Sequence, residues 1–254
     1  MVISIPDLEL VAAGTWQATE EVRLGDWMLR AAEGFTGRAN SALAVGDPGL
    51  PLAEAVDQVC GWYRARGLTP MIAVPFPVGT PEGSDLDRLL IKRDWPLRSA
   101  AATVMTAAAD VVARSADGAT ATVDIDPEPD GGWMSLYHYR GQELPPIART
   151  LLLSAPWQAF GSVREDGETI AVARVAAAGG WAGFTAVEVS PQHRRRGLAR
   201  AITARLAAHA ASRAQGGLYL QVEDTNEAGR ALYHRTGFTD HHSYHYRVAP
   251  AGEQ

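Results

Sequence analysis

The residues best placed to do chemistry lie in the stretch EVSPQHRRRGLARA, residues 188–201. A strand-like run delivers the chain to a tight turn, Gly197 permits close backbone approach, and an amphipathic helix follows. The first turn of a helix leaves N–H groups unpaired, and the helix dipole adds partial positive charge at the same place. Arg194, Arg195, Arg196 and Arg200 surround that spot with cations. Amides, dipole and guanidinium groups together make a pocket for phosphate oxygens, and a pyrophosphate is the natural guest. A solvated arginine-rich helix start would explain the charge, but not the succession of strand, glycine and helix.

Arg194-Arg195-Arg196-Gly197-Leu198-Ala199 resembles the Gln/Arg-x-x-Gly-x-Gly/Ala signature of the GNAT superfamily of acetyl-CoA-dependent N-acetyltransferases. The surroundings strengthen the resemblance: Val187, Val189 and Pro191 stand before the signature, and Asn226, Leu232, Tyr233, Gly237 and Phe238 follow it with the family's spacing. The likeness covers about 120 to 248. It implies that the amides of 194–199 hold the CoA pyrophosphate. It also implies that main-chain groups of Val187 and Val189 pair with the pantetheine arm as an added strand would, with Asn226 bonding the arm from the other side. The thioester would lie in a V between VEVS and LYLQVED.

The resemblance makes Tyr233 the donor of a proton to the leaving thiolate and the Val189 N–H the donor to the developing oxyanion. Several relatives, the tandem mycothiol synthases among them, carry a glutamate early in the fourth strand; counting back from Arg194, that position is Gly183. The departure leaves Glu188, a water relay or a base from the first half of the chain. Glu188 alternates with two valines and would look away from their face, toward the acceptor cleft or toward solvent.

The closing strand carries His241, His242, Tyr244, His245 and Tyr246. On a strand, His241 and His242 are expected to face opposite ways, and no cysteine or carboxylate pattern accompanies them, so no metal is expected. Part of this strand could line the acceptor pocket. Near the start, GFTGRANSALAVG (34–46), together with the ending GFTDHHSYHYRVAP, resembles a set of actinobacterial tandem GNAT proteins. Some of these are labelled N-acetylglutamate-synthase-like, a naming habit rather than evidence about substrate. Arg38 and Asn40 are read as sharing one strand face, with Phe35 in the turn before them. All three are candidates to face the acceptor, arginine suiting a carboxylate and asparagine an amide, with a hairpin-stabilising cluster as the alternative.

Positioning these groups requires a mixed α/β fold. From ATATVDIDP onward the order is strand, two helices (GGWMSLYHYRG and PPIARTLLLSA), three strands, helix, strand, helix, strand; the first two of the three strands form a hairpin turned at Asp166-Gly167. The first half shows a similar pattern: two strands (DWMLRAAEG and RANSALAVG), the helix PLAEAVDQVCGWYRARG, a strand, a short helix and a strand. The reading is a tandem GNAT fold, a degenerate repeat over 1–115 and a complete catalytic domain over 116–254, joined through the polar DVVARSADGAT. The first half has DPGLPLAEA where the arginine cradle should fall and Leu90 where Tyr233 should fall. It would supply within one chain what a dimer supplies elsewhere.

Composition narrows the remaining possibilities. The chain has 254 residues and a net charge of −6, with its arginines clustered locally, so no nucleic-acid partner is expected. Lys92 is its one lysine. No apolar run reaches the ~20 residues of a membrane span, and no secretory leader is evident at the start. The single cysteine, Cys60, sits in a helical apolar pattern as a small core residue and fits a reducing cytoplasm. No G-x-x-x-x-G-K-[ST] occurs, which excludes a P-loop. The expected activity is acetyl transfer from acetyl-CoA to a primary amine (a small amine, an amino acid or a protein N-terminus). A non-catalytic acetyl-CoA sensor is the rival.

Overall fold

The computed structural model describes residues 3–80, 84–116, 121–138, 143–213 and 215–250. Those residues form eight α-helices and one 11-stranded sheet. The first half runs α1 (Ile5–Thr15), β1 (Glu20–Leu24), β2 (Trp27–Ala31), β3 (Ala42–Leu43), α2 (Leu52–Arg64), β4 (Met71–Phe76), α3 (Asp85–Lys92), β5 (Ala102–Ala108) and α4 (Ala109–Arg114). The second half runs β6 (Asp124–Asp126), α5 (Gly131–Leu136), α6 (Ile147–Leu152), β7 (Trp157–Glu165), β8 (Glu168–Ala178), β9 (Trp181–Val189), α7 (Leu198–Ala211), β10 (Gly217–Glu223), α8 (Glu227–Arg235) and β11 (Thr239–Val248).

The halves share one wiring. In the first, β2 and β3 are antiparallel and β3 is parallel to β4 across α2; in the second, β8 and β9 are antiparallel and β9 is parallel to β10 across α7. The sheet order, β1-β2-β3-β4-β11-β5-β10-β9-β8-β7-β6, then crosses the halves over. The last strand of the second half, β11, lies between β4 and β5, and β5 pairs antiparallel with β10. Each half therefore closes on a strand from the other, and the sheet is continuous.

Helices α2, α3, α4 and α7 cover one face, where Ile202, Leu206 and Val112 meet Met105, Leu218 and Leu220, and Val56, Val59 and Tyr63 meet Trp27, Leu29 and Ile72. Cys60 is buried in the second of these clusters, as expected of a core residue. On the other face, α1 packs Leu8 and Ala12 against Val104, Trp181 and Tyr219, while α5 and α6 pack Trp133, Leu151 and Leu152 against Phe160 and Val172. α1 shows no strong amphipathic pattern, since its buried side includes Glu9 and Thr15 while apolar Leu10 is exposed, and the sequence reading passed over it. Ser4 caps its first turn through Asp7 N.

Three expectations need correction. DVVARSADGAT was read as a polar linker, yet residues 109–114 are α4, with Val112 fully buried against α7; 117–120 lie outside the described residues, as do 139–141 at the end of GGWMSLYHYRG. RANSALAVG was read as a strand, yet pairing is confined to Ala42–Leu43 and 34–41 form a loop. His241 and His242 do not diverge. A bulge between Asp240 and His242 breaks the alternation, and their Nδ1 atoms lie 2.7 Å apart. His242 Nε2 bonds Glu9 of α1 at 2.8 Å and His241 Nε2 bonds the Ile3 carbonyl at 2.9 Å, so the pair anchors the N-terminal helix.

Candidate active site

The sheet splits where chemistry was expected. β9 and β10 pair in parallel from Trp181↔Gly217 to Phe184↔Leu220, and no pair follows. Residues 185–189 stay bonded to β8 but present their other edge to the gap. The cause is local: Ala186 has φ +54, and an extra residue of β9 stands opposite β8 between Thr185 and Glu188. This bulge also resets the side-chain alternation. Phe184, Val187 and Val189 all pack toward α7, while Ala186 packs toward α5 and α6. Glu188 shares the latter side and accepts a hydrogen bond from His138 N at 3.0 Å. It is half-buried.

Beyond β9 the chain makes a short 3-10 turn, Pro191–His193, and reaches Gly197, whose φ of +80 starts α7 without a side-chain cap. A side chain at Gly197 would meet nothing within 4 Å, so the space above the helix start is open. Leu198 is buried and anchors the helix, Ala199 is half-buried, and Arg194, Arg195, Arg196 and Arg200 are exposed around the opening. Arg194 Nε donates to the Val189 carbonyl at 3.3 Å, and Arg196 holds Glu165 through two bonds of 2.8 and 3.1 Å. A cleft of about 510 Å³ runs here between α7 and β7–β8, lined in part by Arg196, Gly197, Leu198 and Arg200. Uncapped amides, an arginine fringe and open volume fit a phosphate-bearing ligand.

Asn226 caps α8, accepting from Gly229 N at 2.9 Å. Tyr233, on the same helix, packs edge-on to Phe238 at 5.8 Å and has no hydrogen-bond partner for its hydroxyl among the described residues. Burial pushes its phenol up to about 12, which keeps it protonated throughout the neutral range. Gly183 has a definite cause as well: a side chain there would run into the Tyr219 ring, whose hydroxyl bonds Thr15 Oγ1. Tyr219 thus fills the space a glutamate would need.

A second cavity, about 320 Å³, opens on the face opposite α7 and touches the split through Gln221, the first β10 residue past the last β9 pair. Its lining includes Gly37, Arg38, Tyr244, His245 and Tyr246. Of the three residues expected from the first half to face an acceptor, only Arg38 reaches this cavity, where it donates to Gln221 Oε1 at 2.8 Å. Phe35 is buried with Trp16 and Trp133 instead. Asn40 is consumed by its own loop: Oδ1 accepts from Ala32 N and Gly34 N at 2.8 and 2.9 Å, and Nδ2 donates to the Phe35 and Thr36 carbonyls at 2.7 and 2.9 Å. These bonds hold Glu33, Gly34 and Thr36 at positive φ and so set where Arg38 emerges.

Gln221 and Arg174 escaped the sequence reading. Arg174 carried a legible signal, one charge inside the apolar run AVARVAAA, because a lone charge on a buried strand demands an explanation.

Comparison with known proteins agrees with this geometry. Residues 3–247 match the family described as "Probable histone acetyltransferase Rv0428c C-terminal". The chain is 30% identical to the probable histone acetyltransferase Rv0428c of Mycobacterium tuberculosis, over 98% of this chain and 74% of that protein. It is 23% identical to the uncharacterized N-acetyltransferase YobR of Bacillus subtilis, over 96% and 98% of the two chains. Among solved structures, a GCN5-related N-acetyltransferase from Kribbella flavida superposes with a TM-score of 0.69 at 15% identity, covering 99% and 98% of the chains. A tandem GNAT protein from the clavulanic acid biosynthesis pathway superposes at 0.66 with 16% identity, covering 98% and 89%.

Proposed function

Because this chain belongs to the Rv0428c C-terminal family of GNAT acetyltransferases and is an acyltransferase, we propose that it binds acetyl-CoA at the split between β9 and β10 and acetylates the primary amine of a small amine or amino acid by direct attack. The observation that carries this reading is the split itself, opening immediately before the uncapped, arginine-fringed start of α7. The relative's name refers to histones, which also present primary amines, but the 320 Å³ cavity suits a small acceptor better.

Acetyl-CoA supplies an acyl carbon activated as a thioester. The amides of 194–199, with Arg195, Arg196 and Arg200, hold its diphosphate, and the free edge of Val187 and Val189 receives the pantetheine arm. Asn226, whose Oδ1 is committed to the cap, offers its side-chain N–H₂ to the same arm. An incoming amine attacks in its neutral form, and its nitrogen forms the new C–N bond as the C–S bond breaks. The Val189 N–H donates to the acyl oxygen as negative charge gathers there. Tyr233 gives its proton to the departing sulfur and is neutral at working pH to do so. The proton lost by the amine leaves toward Glu188, directly or through water.

Release of CoA from acetyl-CoA against amino acids, polyamines, aminoglycosides and short peptides tests the reading. Turnover with one acceptor class, reduced in Tyr233→Phe, is expected. Acetyl-CoA binding without turnover of any amine would make the chain a sensor, and failure to bind acetyl-CoA would overturn the proposal.

A further inference from the structure

Arg38 lines the cavity beside Gln221, and two further arginines stand close to it: Arg174 shares the Trp16 ring with Arg38, and Arg98 packs on the lining residues Gly37 and Tyr246. Arg38, half-buried, bonds neutral Gln221 and has no carboxylate at ion-pair distance among the described residues. Behind it, Arg174 is fully buried, and its guanidinium donates only to neutral acceptors: the Leu152 carbonyl at 2.7 Å, the Thr15 carbonyl at 3.0 Å and Thr185 Oγ1 at 3.3 Å. Both guanidinium groups lie over the Trp16 ring, 5.1 and 5.3 Å from its centroid. Arg98 adds a third cation. It stands over Tyr246 at 5.9 Å and so close to Gly37 that a side chain there would collide with it.

Burying a charge without a counter-ion is costly. Burial, reinforced by the Arg38 charge, draws Arg174 down to about 9, which still leaves it cationic at neutral pH. The acids nearby do not answer the demand. Glu9 is bonded to His242, Asp87 is taken by His245 and Arg247, and Glu223, exposed on the cavity rim, lies beyond ion-pair distance of Arg38. Arg38 can shift its donors from Gln221 to a ligand, because a guanidinium has five N–H groups and Gln221 receives one bond.

We infer that this cavity takes a carboxylate of the acceptor, so that the substrate class is an amine bearing a free carboxylate, anchored on Arg38 and drawn in by the buried charge of Arg174. Tyr244 lines the same cavity, and turning its one O–H from Gln221 Oε1, 3.3 Å away, toward the ligand supplies a second donor. The inference rests on the acetyltransferase reading and deepens it: the split would hold the thioester, and the adjoining cavity would hold the far end of the acceptor. Cationic acceptors such as polyamines, aminoglycosides and lysine-rich peptides would meet Arg38 there, with the charges of Arg174 and Arg98 close by.

The test compares each free amino acid with its own carboxamide on the full chain, by thermal shift for binding and by CoA release for turnover. The free acids are expected to bind and to turn over at least 10-fold better in kcat/KM than their amides, the size of one lost charge-assisted hydrogen bond. In Arg38→Gln the preference collapses, chiefly through KM, while acetyl-CoA still binds; Arg38→Lys restores part of it. Equal binding of acids and amides, or preference for the amides or for polyamines, overturns the inference even if acetyl transfer is observed. Loss of acetyl-CoA binding in the unaltered chain overturns instead the reading beneath it.

Discussion

The chain makes the same strand-to-helix turn twice and furnishes the two turns oppositely. Before α7, Gly197 opens onto empty space and arginines fringe the amides. Before α2, the equivalent turn is filled by the protein's own acids. Asp26 Oδ2 accepts from Asp47 N at 2.8 Å, Asp47 Oδ1 accepts from Gly49 N at 2.8 Å, and a side chain at Gly46 would strike the Asp26 carboxylate. An anion-binding turn whose amides are already bonded to carboxylates has neither donors nor favourable charge left for phosphate. The two short helices that follow differ in the same sense: Tyr233 offers a hydroxyl without a partner among the described residues, whereas Leu90, fully buried, offers only packing. One wiring thus carries two different turns, an open one fringed by arginines and a closed one filled by acids.

The largest effect should come from the short helices. Tyr233→Phe is expected to lower kcat by about 10²–10⁴, the range of a lost general acid, while acetyl-CoA affinity is retained. Leu90→Ala should cost about 2–5 kcal/mol of stability by opening a cavity. Steady-state kinetics and chemical denaturation on both variants separate the roles, and a Tyr233→Phe enzyme of undiminished kcat would break the comparison. Because burial raises Tyr233 to about 12, the proton donor stays loaded, and the unaltered rate should show no falling limb from this group up to pH 10.

Next comes the strand exchange that binds the halves together. Asp87 of α3 bonds His245 Nε2 at 2.8 Å and Arg247 Nε at 2.5 Å, both on β11, and all three side chains are buried. Burial alone would raise the Asp87 carboxyl, but these hydrogen bonds prevail and hold it below its ordinary value. A depressed carboxylate stabilises the fold fully above its unfolded pKa, near ~3.9, and loses that contribution as pH falls through the lower folded value. Asp87→Asn is therefore expected to cost about 3–5 kcal/mol at pH 7, with the gap from the unaltered chain closing only below about pH 4. Urea titrations across pH 3 to 7 measure it, and a gap independent of pH would exclude the carboxylate as its source.

Much of this was legible in the sequence. The alternation and helical periods from residue 157 onward placed every element around the candidate active site, and the Arg194–Ala199 run with Gly197 located the turn. What escaped were effects of tertiary pairing. α1 has no clear pattern beyond a cap, because Glu9 and Thr15 are buried among Leu8, Ala12 and Ala13, Glu9 being bonded to His242 of a strand far along the chain. The bulges at Ala186 and before His242 shift side-chain phase by one residue, which no alternation count reveals. Asn40 was read either as an acceptor contact or as part of a hairpin-stabilising cluster, and only the structure decides: all its bonding capacity closes on the loop that carries Arg38. That Gly183 stands in place of a glutamate also became intelligible only once Tyr219, on a different strand, was seen filling the space.

The smallest predicted effect probes the turns directly. Reversing charge in the open turn, Arg195→Glu or Arg200→Glu, should weaken acetyl-CoA binding about 10-fold, since each guanidinium is exposed and its attraction for phosphate is partly screened. Removing charge from the closed turn, Asp26→Asn, should leave acetyl-CoA affinity unchanged and cost only about 1 kcal/mol, because an amide oxygen still accepts from Asp47 N. Isothermal titration with acetyl-CoA at two salt concentrations reads both. Only the variants in the open turn should lose the salt dependence of binding. A second acetyl-CoA appearing in Asp26→Asn would show that the first-half turn lacks a ligand merely because its own acid occupies the place, and would make the two turns alike in backbone and different in one side chain.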